Sequence, residues 1–295
     1  MINPRLEEKV VLVTGANHGI GAATAEAFAD QKSKVFLHYL RLPLTEEEES
    51  EIEEGGAKET GRLRYRLNQS RSPDEIIKRV REKGGTIRAR EADLSRPQNI
   101  TKLFDQVEAE LGPVEVLVNN AAHCSPDSFV PDRERKEEDK VIKDAPMGSL
   151  TAHSCDRHFA VNSRAPALMM KEYAKRHVER DADWGRIINI STDGSSCFPG
   201  EASYGASKHA LESYSRSAAM ELAQFGVTVN IVSPGPIQTG YLNPSQSERE
   251  VEEIPLGRLG KPVDVADVII FLASEQARWL TGQLLYVGGG HVMDM

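Results

Sequence analysis

The run Val10-Val11-Leu12-Val13 leads directly into Thr14-Gly15-Ala16-Asn17-His18-Gly19-Ile20-Gly21, which precedes the helix-forming segment 22–29. A strand, a glycine-rich turn and a helix in this order are typical of a nucleotide-binding unit. In such a turn Gly15 permits a tight bend, Gly19 lets the backbone approach a pyrophosphate, and Gly21 allows the helix to pack closely on the strand. The first N–H groups of the helix would then face the phosphates. The alternative is an ordinary strand–helix connection, which the position after the first strand disfavours.

Farther along the chain, short apolar runs alternate with segments of helical composition. Strands are predicted at 35–39, 86–92, 114–118, 186–190, 227–232 and 284–287, and helices at 74–83, 100–111, 165–179, 203–224 and 263–273. Mostly apolar strands that alternate with helices indicate a parallel sheet covered on both faces. The sequence therefore predicts one α/β domain over residues 1–295, a doubly wound parallel sheet (Rossmann fold) in three α/β/α layers.

Two segments interrupt this alternation. Residues 42–73 contain the acidic run Glu46–Glu49, followed by the basic residues Arg62, Arg64 and Arg66, and residues 125–156 are polar and highly charged. Both are predicted to be long loops after the carboxyl ends of strands, where sheets of this kind bind ligands. Such loops are either functional lids or mobile surface insertions, and the sequence leaves both alternatives open.

Composition narrows the classes of partner. Of the 295 residues, 27% are charged and 39% hydrophobic, an ordinary balance for a soluble protein. The formal net charge of -9 argues against a nucleic-acid partner, which requires a concentrated basic surface. No apolar run is long enough to cross a bilayer, and the polar segment Met1–Lys9 leads straight into a strand, which leaves no room for a signal peptide. We therefore expect a cytoplasmic protein without a membrane or nucleic-acid partner.

The cysteines are Cys124, Cys155 and Cys197, and their spacing matches no metal site. A sparse, odd number fits free thiols in a reducing compartment better than a disulfide framework. The sequence predicts neither a metal centre nor a cysteine nucleophile.

A Tyr-x-x-x-Lys motif lies at Tyr204-Gly205-Ala206-Ser207-Lys208. On a helix the tyrosine and the lysine share a face. A phenol with a pKa near ~10 exchanges protons poorly at neutral pH, whereas a nearby ammonium group favours the phenolate and lowers that pKa. The motif is common by chance, but behind a nucleotide-binding turn it indicates general acid/base catalysis in an oxidoreductase.

Together these motifs resemble the short-chain dehydrogenase/reductase family, in its subgroup with a T-G-x-x-x-G-x-G turn. Further similar segments are, in chain order, Asp93-Leu94, Asn119-Asn120-Ala121-Ala122, Val161-Asn162-Ser163, Pro234-Gly235-Pro236-Ile237-Gln238-Thr239, 254–260 and 280–283. Ala122 replaces the glycine of the family's N-N-A-G stretch. The resemblance covers nearly the whole chain except the two long loops, and it looks most like the beta-ketoacyl carrier-protein reductase branch.

The resemblance implies a role for each of these residues. Tyr204 would donate a proton to a carbonyl oxygen while a hydride arrives from nicotinamide, and Lys208 would hold the ribose hydroxyls and lower the tyrosine pKa. Asn162 would hold a water that links Lys208 to solvent; its alternative is a helix-interior residue that bonds its own backbone. Asp93 would lie near the adenine, cap the next helix, or do both. The full set of implied cofactor contacts is Gly15, Asn17, His18, Gly19, Ile20, Gly21, Tyr39, Arg41, Asp93, Leu94, Asn120, Ala121, Ala122, Tyr204, Lys208, Pro234, Gly235, Ile237 and Thr239.

The hydroxyl that would polarise the substrate is ambiguous. The family usually has Ser-Ser after this strand, the second serine being catalytic, whereas here Ile190 is followed by Ser191 and Thr192. Counting from the strand selects Thr192, and counting back from Tyr204 selects Ser191. We favour Thr192, because the strand fixes position rigidly while the loop before Tyr204 can absorb a deletion. Threonine also keeps a hydroxyl that donates and accepts.

Cofactor preference depends on the end of the second strand, where NAD-binding sites carry Asp or Glu for the ribose 2′-hydroxyl. This chain has His38-Tyr39-Leu40-Arg41 there, without a carboxylate. Arg41 could instead meet a 2′-phosphate through a charge-assisted bond, and His18 could add to it. The alternative for Arg41 is an ordinary surface charge.

These features predict an NADP(H)-dependent oxidoreductase that interconverts a carbonyl and a secondary alcohol, with NAD(H) as the second choice. One alternative is an NAD-dependent dehydrogenase of a sugar, steroid or other alcohol; another is a dinucleotide-binding sensor or scaffold without turnover. The small-molecule substrate would lie against residues 125–156 and 240–253, in which no pattern of charged or aromatic residues indicates what the substrate is. The resemblance also implies a homo-oligomer, a tetramer or a dimer, built partly on the helix that carries Tyr204.

Overall fold

The computed structural model describes residues 3–56, 59–135, 141–142 and 145–292. Its centre is a seven-stranded parallel sheet of β1 Val10–Val13, β2 Lys34–Tyr39, β3 Thr86–Glu91, β4 Val116–Asn119, β5 Gly185–Ile190, β6 Val227–Pro234 and β7 Leu284–Val287. Their order across the sheet is β7-β6-β5-β4-β1-β2-β3, so the strand order reverses between β1 and β4. This order confirms the doubly wound parallel sheet.

Helices cover both faces of the sheet. They are α1 Gly19–Asp30, α2 Glu46–Glu53, α3 Arg62–Ser70, α4 Asp74–Glu82, α5 Gln98–Glu110, α6 Ala152–Phe159, α7 Ala165–Glu179, α8 Ala202–Leu222, α9 Pro244–Glu253 and α10 Pro262–Ala273. α1, α4 and α10 contribute to one apolar cluster, and α5, α7 and α8 to another. Val11 and Val13 of β1 belong to the first cluster and Val10 and Leu12 to the second, because successive strand residues point to opposite faces. The three α/β/α layers are therefore confirmed.

The segment 42–73 is not the long irregular loop that its sequence predicts. It contains α2 and α3, and α2 begins with a capping box between Thr45 and Glu48. The Glu48 carboxylate accepts from Arg66 Nε at 2.9 Å and from Arg62 Nη1 at 3.2 Å, which joins the two helices. Residues 57–58 lie outside the described part of the chain.

The segment 125–156 also differs from the predicted loop. It contains short strand pairs, Asp127–Ser128 with Gly148–Ser149 and Val141–Ile142 with Ala145–Pro146, and α6 begins inside it. Residues 136–140 and 143–144 of this segment lie outside the description. The expected variable loop 240–253 consists largely of α9, which a capping box between Asn243 and Gln246 starts.

Within the described ranges, none of the helices combines the length and the apolar character needed to cross a bilayer. The same residues include no group of three or more His, Cys, Asp or Glu side chains arranged to hold a metal ion.

Candidate active site

The glycine turn after β1 has the geometry that its sequence predicts. Gly15 and Gly19 have φ values of +64° and +58°, in the left-handed region that favours glycine. A Cβ on Gly15 would lie 2.6 Å from the Ala121 Cα, and a Cβ on Gly21 would lie 2.4 Å from the Gly15 carbonyl oxygen. The side chain of His18, the N-cap of α1, makes no capping hydrogen bond within the described residues. The first turn of α1 therefore fits an external anion such as the phosphates of a dinucleotide.

The end of β4 is hydrogen bonded to this turn. Thr14 Oγ1 accepts from the backbone N–H groups of Asn120 and Ala121, each at 3.0 Å. Asn120 Nδ2 donates to the carbonyl oxygens of Thr14 at 3.0 Å and Gly15 at 2.8 Å. These four bonds join the end of β1 to the end of the neighbouring strand β4. The pairing of these two strands therefore fixes the position of the glycine turn.

Two histidines contact the turn, and only His18 belongs to the predicted set. His38 Nδ1 accepts from the Gly15 N–H at 3.4 Å, and its Nε2 donates to the Ala92 carbonyl oxygen at 2.8 Å. Burial lowers the pKa of His38 and of His18 to about 4, so both rings are neutral near pH 7. Burial therefore disfavours the positive charge that His18 would add for a 2′-phosphate. Its buried Nδ1 atom has no hydrogen-bond partner among the described residues, which suits a ligand contact.

Tyr204 and Lys208 lie in the first two turns of α8 and line one cleft, as their spacing predicts. The Lys208 Nζ atom lies 5.8 Å from the centroid of the Tyr204 ring. It donates to the carbonyl oxygen of Ile190 at 2.7 Å, and Lys208 is only 2% exposed. The ammonium group is therefore fixed between the end of β5 and the phenol.

Burial, more than the neighbouring charges, sets the protonation of both groups. Burial raises the pKa of the Tyr204 phenol well above 10, and the negative charges of Cys124 and Glu201 act in the same direction. Burial also lowers the pKa of Lys208 to about 8, against the smaller effects of Cys124 and Glu212. Burial therefore outweighs the lowering of the Tyr204 pKa that the sequence predicts from Lys208. The phenol is protonated near pH 7 and is suited to donate a proton.

Asn162 lies in a π-helical turn, Ala160–Arg164, that joins α6 to α7. Its Nδ2 donates to the His123 carbonyl oxygen at 2.8 Å and to Ser207 Oγ at 2.9 Å, and its Oδ1 accepts from the His123 N–H at 2.8 Å. The side chain thus connects the loop after β4 to the residue before Lys208. The alternative in which Asn162 bonds its own backbone is wrong. π-Helical turns of this kind occur frequently at functional sites.

The structure separates the two candidate hydroxyls after β5. Ser191 Oγ donates to the Glu212 Oε1 atom at 2.6 Å, and both residues are buried. Thr192 lines the cleft, and its hydroxyl has no hydrogen-bond partner within the described ranges. The Ser191 hydroxyl is therefore occupied by the interior of the protein, while the Thr192 hydroxyl has a free donor and acceptor.

The end of β2 carries Tyr39 and Arg41, but Arg41 is already paired. Its Nε donates to Glu91 Oε2 at 2.9 Å, and its backbone N–H donates to Glu91 Oε1 at 3.0 Å. Glu91 ends β3, where it is the register partner of Tyr39. The carboxylate that β2 lacks in its own sequence is thus supplied by the neighbouring strand, a contact that no local pattern reveals.

Two other predicted segments also reach the cleft. Asp93 Oδ1 accepts from the Ser95 N–H at 2.9 Å, whereas α5 begins later with Pro97 as its N-cap, so the capping alternative for Asp93 is wrong. Thr239 lies beside the glycine turn, because a Cβ on Gly19 would be 3.1 Å from the Thr239 Cγ2 atom. The loop after β6 therefore forms the wall opposite α1.

These segments surround one continuous cleft of about 1990 Å³ at the carboxyl ends of the strands. Pockets for a single small ligand have volumes of roughly 300–1,000 Å³. The cleft therefore has room for a dinucleotide and a second molecule. Of the predicted site residues, those that do not line it are Gly21, Tyr39, Arg41 and Asn162.

The structure adds Asp127 to the residues around the site. Its Oδ1 accepts from the Ser203 N–H at 2.9 Å, and its Oδ2 accepts from Ser154 Oγ at 2.7 Å. The carboxylate thus lies at the N-termini of both α6 and α8, a favourable place for negative charge. It holds the segment 125–156 against the helix that carries Tyr204.

Comparison with known proteins places this site in a family. Residues 63–291 match a family model described as enoyl-(acyl carrier protein) reductase. A short-chain type dehydrogenase/reductase of Picea abies is 33% identical over 289 residues, covering 96% of this chain and 92% of the spruce protein. The chain belongs to the short-chain dehydrogenase/reductase family.

This short-chain dehydrogenase/reductase is also 31% identical over 290 residues to YjdA, an uncharacterised oxidoreductase of Bacillus subtilis, with 97% of this chain and 98% of YjdA covered. Among solved structures it resembles the angucycline C-6 ketoreductase LanV with bound NADP, with a TM-score of 0.74 and 27% identity over 97% of this chain and 96% of LanV. The short-chain dehydrogenase/reductase is therefore an enzyme that interconverts carbonyl and alcohol groups with a nicotinamide dinucleotide.

Proposed function

We propose that this enzyme reduces a carbonyl to a secondary alcohol with NADPH and that Tyr204 donates the proton. The observation that carries the proposal is the position of the Tyr204 phenol, which lines the cleft with the Lys208 Nζ atom 5.8 Å from the centroid of its ring. The bound nicotinamide would supply the hydride. Burial raises the pKa of this phenol, which favours the protonated form that reduction requires.

Lys208 has two functions in this proposal. An ammonium group has three N–H donors, and the contact with the Ile190 carbonyl oxygen uses one of them. The others remain for ribose hydroxyls. After Tyr204 has given up its proton, the fixed positive charge stabilises the phenolate. The contacts of Asn162 with His123 and Ser207 support a role in holding this part of the site and its water.

The carbonyl oxygen would be polarised by Thr192. Its hydroxyl lines the cleft, whereas the Ser191 hydroxyl is committed to Glu212. Hydrogen bonding to Thr192 would orient the carbonyl and stabilise the negative charge that develops on its oxygen during reduction.

Arg41 supports the preference for NADPH over NADH. It lies at the end of β2, where the chain has no carboxylate of its own, and its guanidinium has five N–H donors. Glu91 engages the donors on Nε and one Nη of Arg41, so a 2′-phosphate would share the guanidinium with Glu91. We therefore expect a moderate preference for NADPH.

Exposed apolar side chains on α8 support a homo-oligomer built on this helix. Tyr214 and Met220 are 51% and 83% exposed, and a partner subunit would remove them from water. Light scattering measures the mass in solution, and a monomer would contradict this part of the proposal.

The function is tested with purified protein, NADPH or NADH, and a panel of ketones and aldehydes, followed at the nicotinamide absorbance. We expect oxidation of NADPH that depends on the carbonyl and a lower kcat/KM with NADH. A higher kcat/KM with NADH would favour the NAD-dependent alternative, for which the Arg41–Glu91 pair is the supporting observation. Tight NADPH binding without turnover of any carbonyl would favour a sensor or scaffold.

A further inference from the structure

The segment 42–73 places an aromatic side chain in the active-site cleft. Tyr65 of α3 lines the cleft, with its ring centroid 4.8 Å from that of Tyr241 and 5.2 Å from that of His18. α3 is held in place by backbone contacts at both ends. The Gly61 N–H donates to the Gly240 carbonyl oxygen at 2.9 Å, and Asn17 donates to the carbonyl oxygen of Arg71 at 3.1 Å.

Other aromatic rings approach the proposed proton donor from different segments. The Phe198 ring centroid lies 6.0 Å from that of Tyr204. Tyr65 and Tyr241 line the same cleft as Tyr204. We call Tyr65, Tyr241 and Phe198, all of which line the cleft, the aromatic wall.

The aromatic wall has a consequence for the shape of the substrate. Aromatic rings attract one another in offset or edge-to-face arrangements, with centroids about 4.5–7 Å apart. Each such pair is worth about 2- to 12-fold in affinity beyond the area it buries. A saturated ring of similar size gains only the buried area, and a polyol would leave hydroxyl groups unpaired against these rings.

We propose that the aromatic wall selects carbonyl substrates that carry a flat aromatic ring, and that Tyr65 of the segment 42–73 is the main determinant of this selectivity. The inference rests on the proposed function, since it concerns the substrate of the same reaction. The inference gives the segment 42–73 a role in substrate selectivity. This segment follows β2, whose end lies at the nucleotide end of the cleft.

The test compares phenylacetone with cyclohexylacetone. Both are methyl ketones with the ring separated from the carbonyl by one methylene. The carbonyl groups are therefore alike, and the compounds differ only in whether the six-membered ring is aromatic or saturated. We expect the wild-type enzyme to favour phenylacetone about tenfold in kcat/KM, mainly through KM. Tyr65→Leu should remove this preference, and Tyr65→Phe should restore most of it. Phe129→Leu is the matched control, because Phe129 is 79% exposed and lies outside the cleft lining.

Dissociation constants of the two ketones, measured by ligand-observed NMR, separate this inference from the proposed function. Tighter binding of phenylacetone that is lost in Tyr65→Leu supports the aromatic wall even if neither ketone is reduced. Equal binding of the two ketones to the wild-type protein overturns the inference even if both are reduced. If Tyr65→Leu does not fold, Tyr65→Gln tests the same residue, and an unchanged preference in that variant also overturns the inference.

Discussion

The two ends of the cleft are built in different ways. The nucleotide end consists mainly of backbone at strand termini, where Thr14 and Asn120 tie β1 to β4. The substrate end consists of side chains from segments far apart in sequence, joined by contacts such as that of Asp127 with Ser203. Both ends depend on tertiary contacts, but the glycine turn and the Asn120 segment of the first end each carry a sequence motif, whereas the contact of Asp127 with Ser203 carries none. Changes at one end should therefore leave the other largely intact.

The largest effect is expected for Tyr204→Phe, which should change catalysis at the substrate end and leave the nucleotide end able to bind NADPH. This change keeps the ring and removes the proton donor, and positioned acid/base groups contribute roughly 10²–10⁴-fold to rates. Turnover should fall by at least that factor, while NADPH still binds, as fluorescence titration would measure. Near-normal turnover would refute the role of Tyr204, and weakened NADPH binding would show that the two ends are coupled.

The next largest effect on turnover is expected at Thr192, which the structure separates from the other candidate hydroxyl, Ser191. Thr192→Val keeps the shape and removes the donor, and loss of one such donor typically costs about 10²–10³-fold in turnover. Thr192→Ser should keep most of the activity. Ser191→Ala should change turnover little but lower the free energy of unfolding by about 1–3 kcal/mol, because the buried Glu212 carboxylate loses its hydrogen bond. The reverse ranking in turnover would assign the substrate contact to Ser191.

The pH dependence of turnover tests the charge of Lys208. Its pKa is lowered from 10.5 to about 8, so the ammonium group is present below about pH 8 and is lost above it. With Tyr204 protonated throughout, turnover should fall about tenfold per pH unit above pH 8. Between pH 8 and 10.5 the unfolded chain binds more protons at this lysine, so its contribution to stability rises with pH. If the protein unfolds over the same pH range in which turnover is lost, deprotonation of Lys208 is not the cause of the loss.

A smaller effect, confined to the nucleotide end, is expected at Arg41. Arg41→Ala should weaken NADPH binding about tenfold, the low end of the range for a charge-assisted bond because Glu91 already engages the guanidinium. Glu91→Gln should strengthen NADPH binding, since it releases Arg41. Kinetics with the preferred ketone at saturating NADPH should be unchanged in both variants. If neither substitution changes the ratio of the dissociation constants for NADPH and NADH, Arg41 does not contact the cofactor.

The smallest effect on turnover is expected for Asp127, which acts only through the helices that it joins. Asp127→Ala should lower the free energy of unfolding by about 0.5–2 kcal/mol, as for loss of a helix cap, and Asp127→Asn should recover part of it. Chemical denaturation measures both. If Asp127→Ala leaves stability unchanged, the substrate end does not depend on this contact.

The sequence predicted the nucleotide end and a doubly wound parallel sheet because their signals are local. The glycine turn follows its strand directly, and the spacing of Tyr204 and Lys208 places them on one helical face. α3 escaped prediction because its apolar residues alternate with arginines, a period typical of a strand, and because none of its side chains is fully buried. Its stability comes instead from contacts such as the pairing of Glu48 with Arg66.

The electrostatic properties of the site could not be predicted from motifs. A Tyr-x-x-x-Lys spacing reveals the neighbouring ammonium group but not the burial that raises the Tyr204 pKa. In the same way, the sequence of β2 gives no sign of Glu91, which pairs with Arg41 from the adjacent strand. Both depend on which segments the fold brings together.

The π-helical turn Ala160–Arg164 makes the length of this helical region as important as its composition. A π turn holds one residue more than an α turn, and each residue of an α-helix advances the chain by about 100° around the axis. Because the π turn absorbs this extra residue, deleting one residue here would allow a continuous α-helix and leave α7 in place, but it would lose the geometry that directs Asn162 to His123 and Ser207. The residue count of this turn therefore matters for the position of Asn162 and not for the packing of α7.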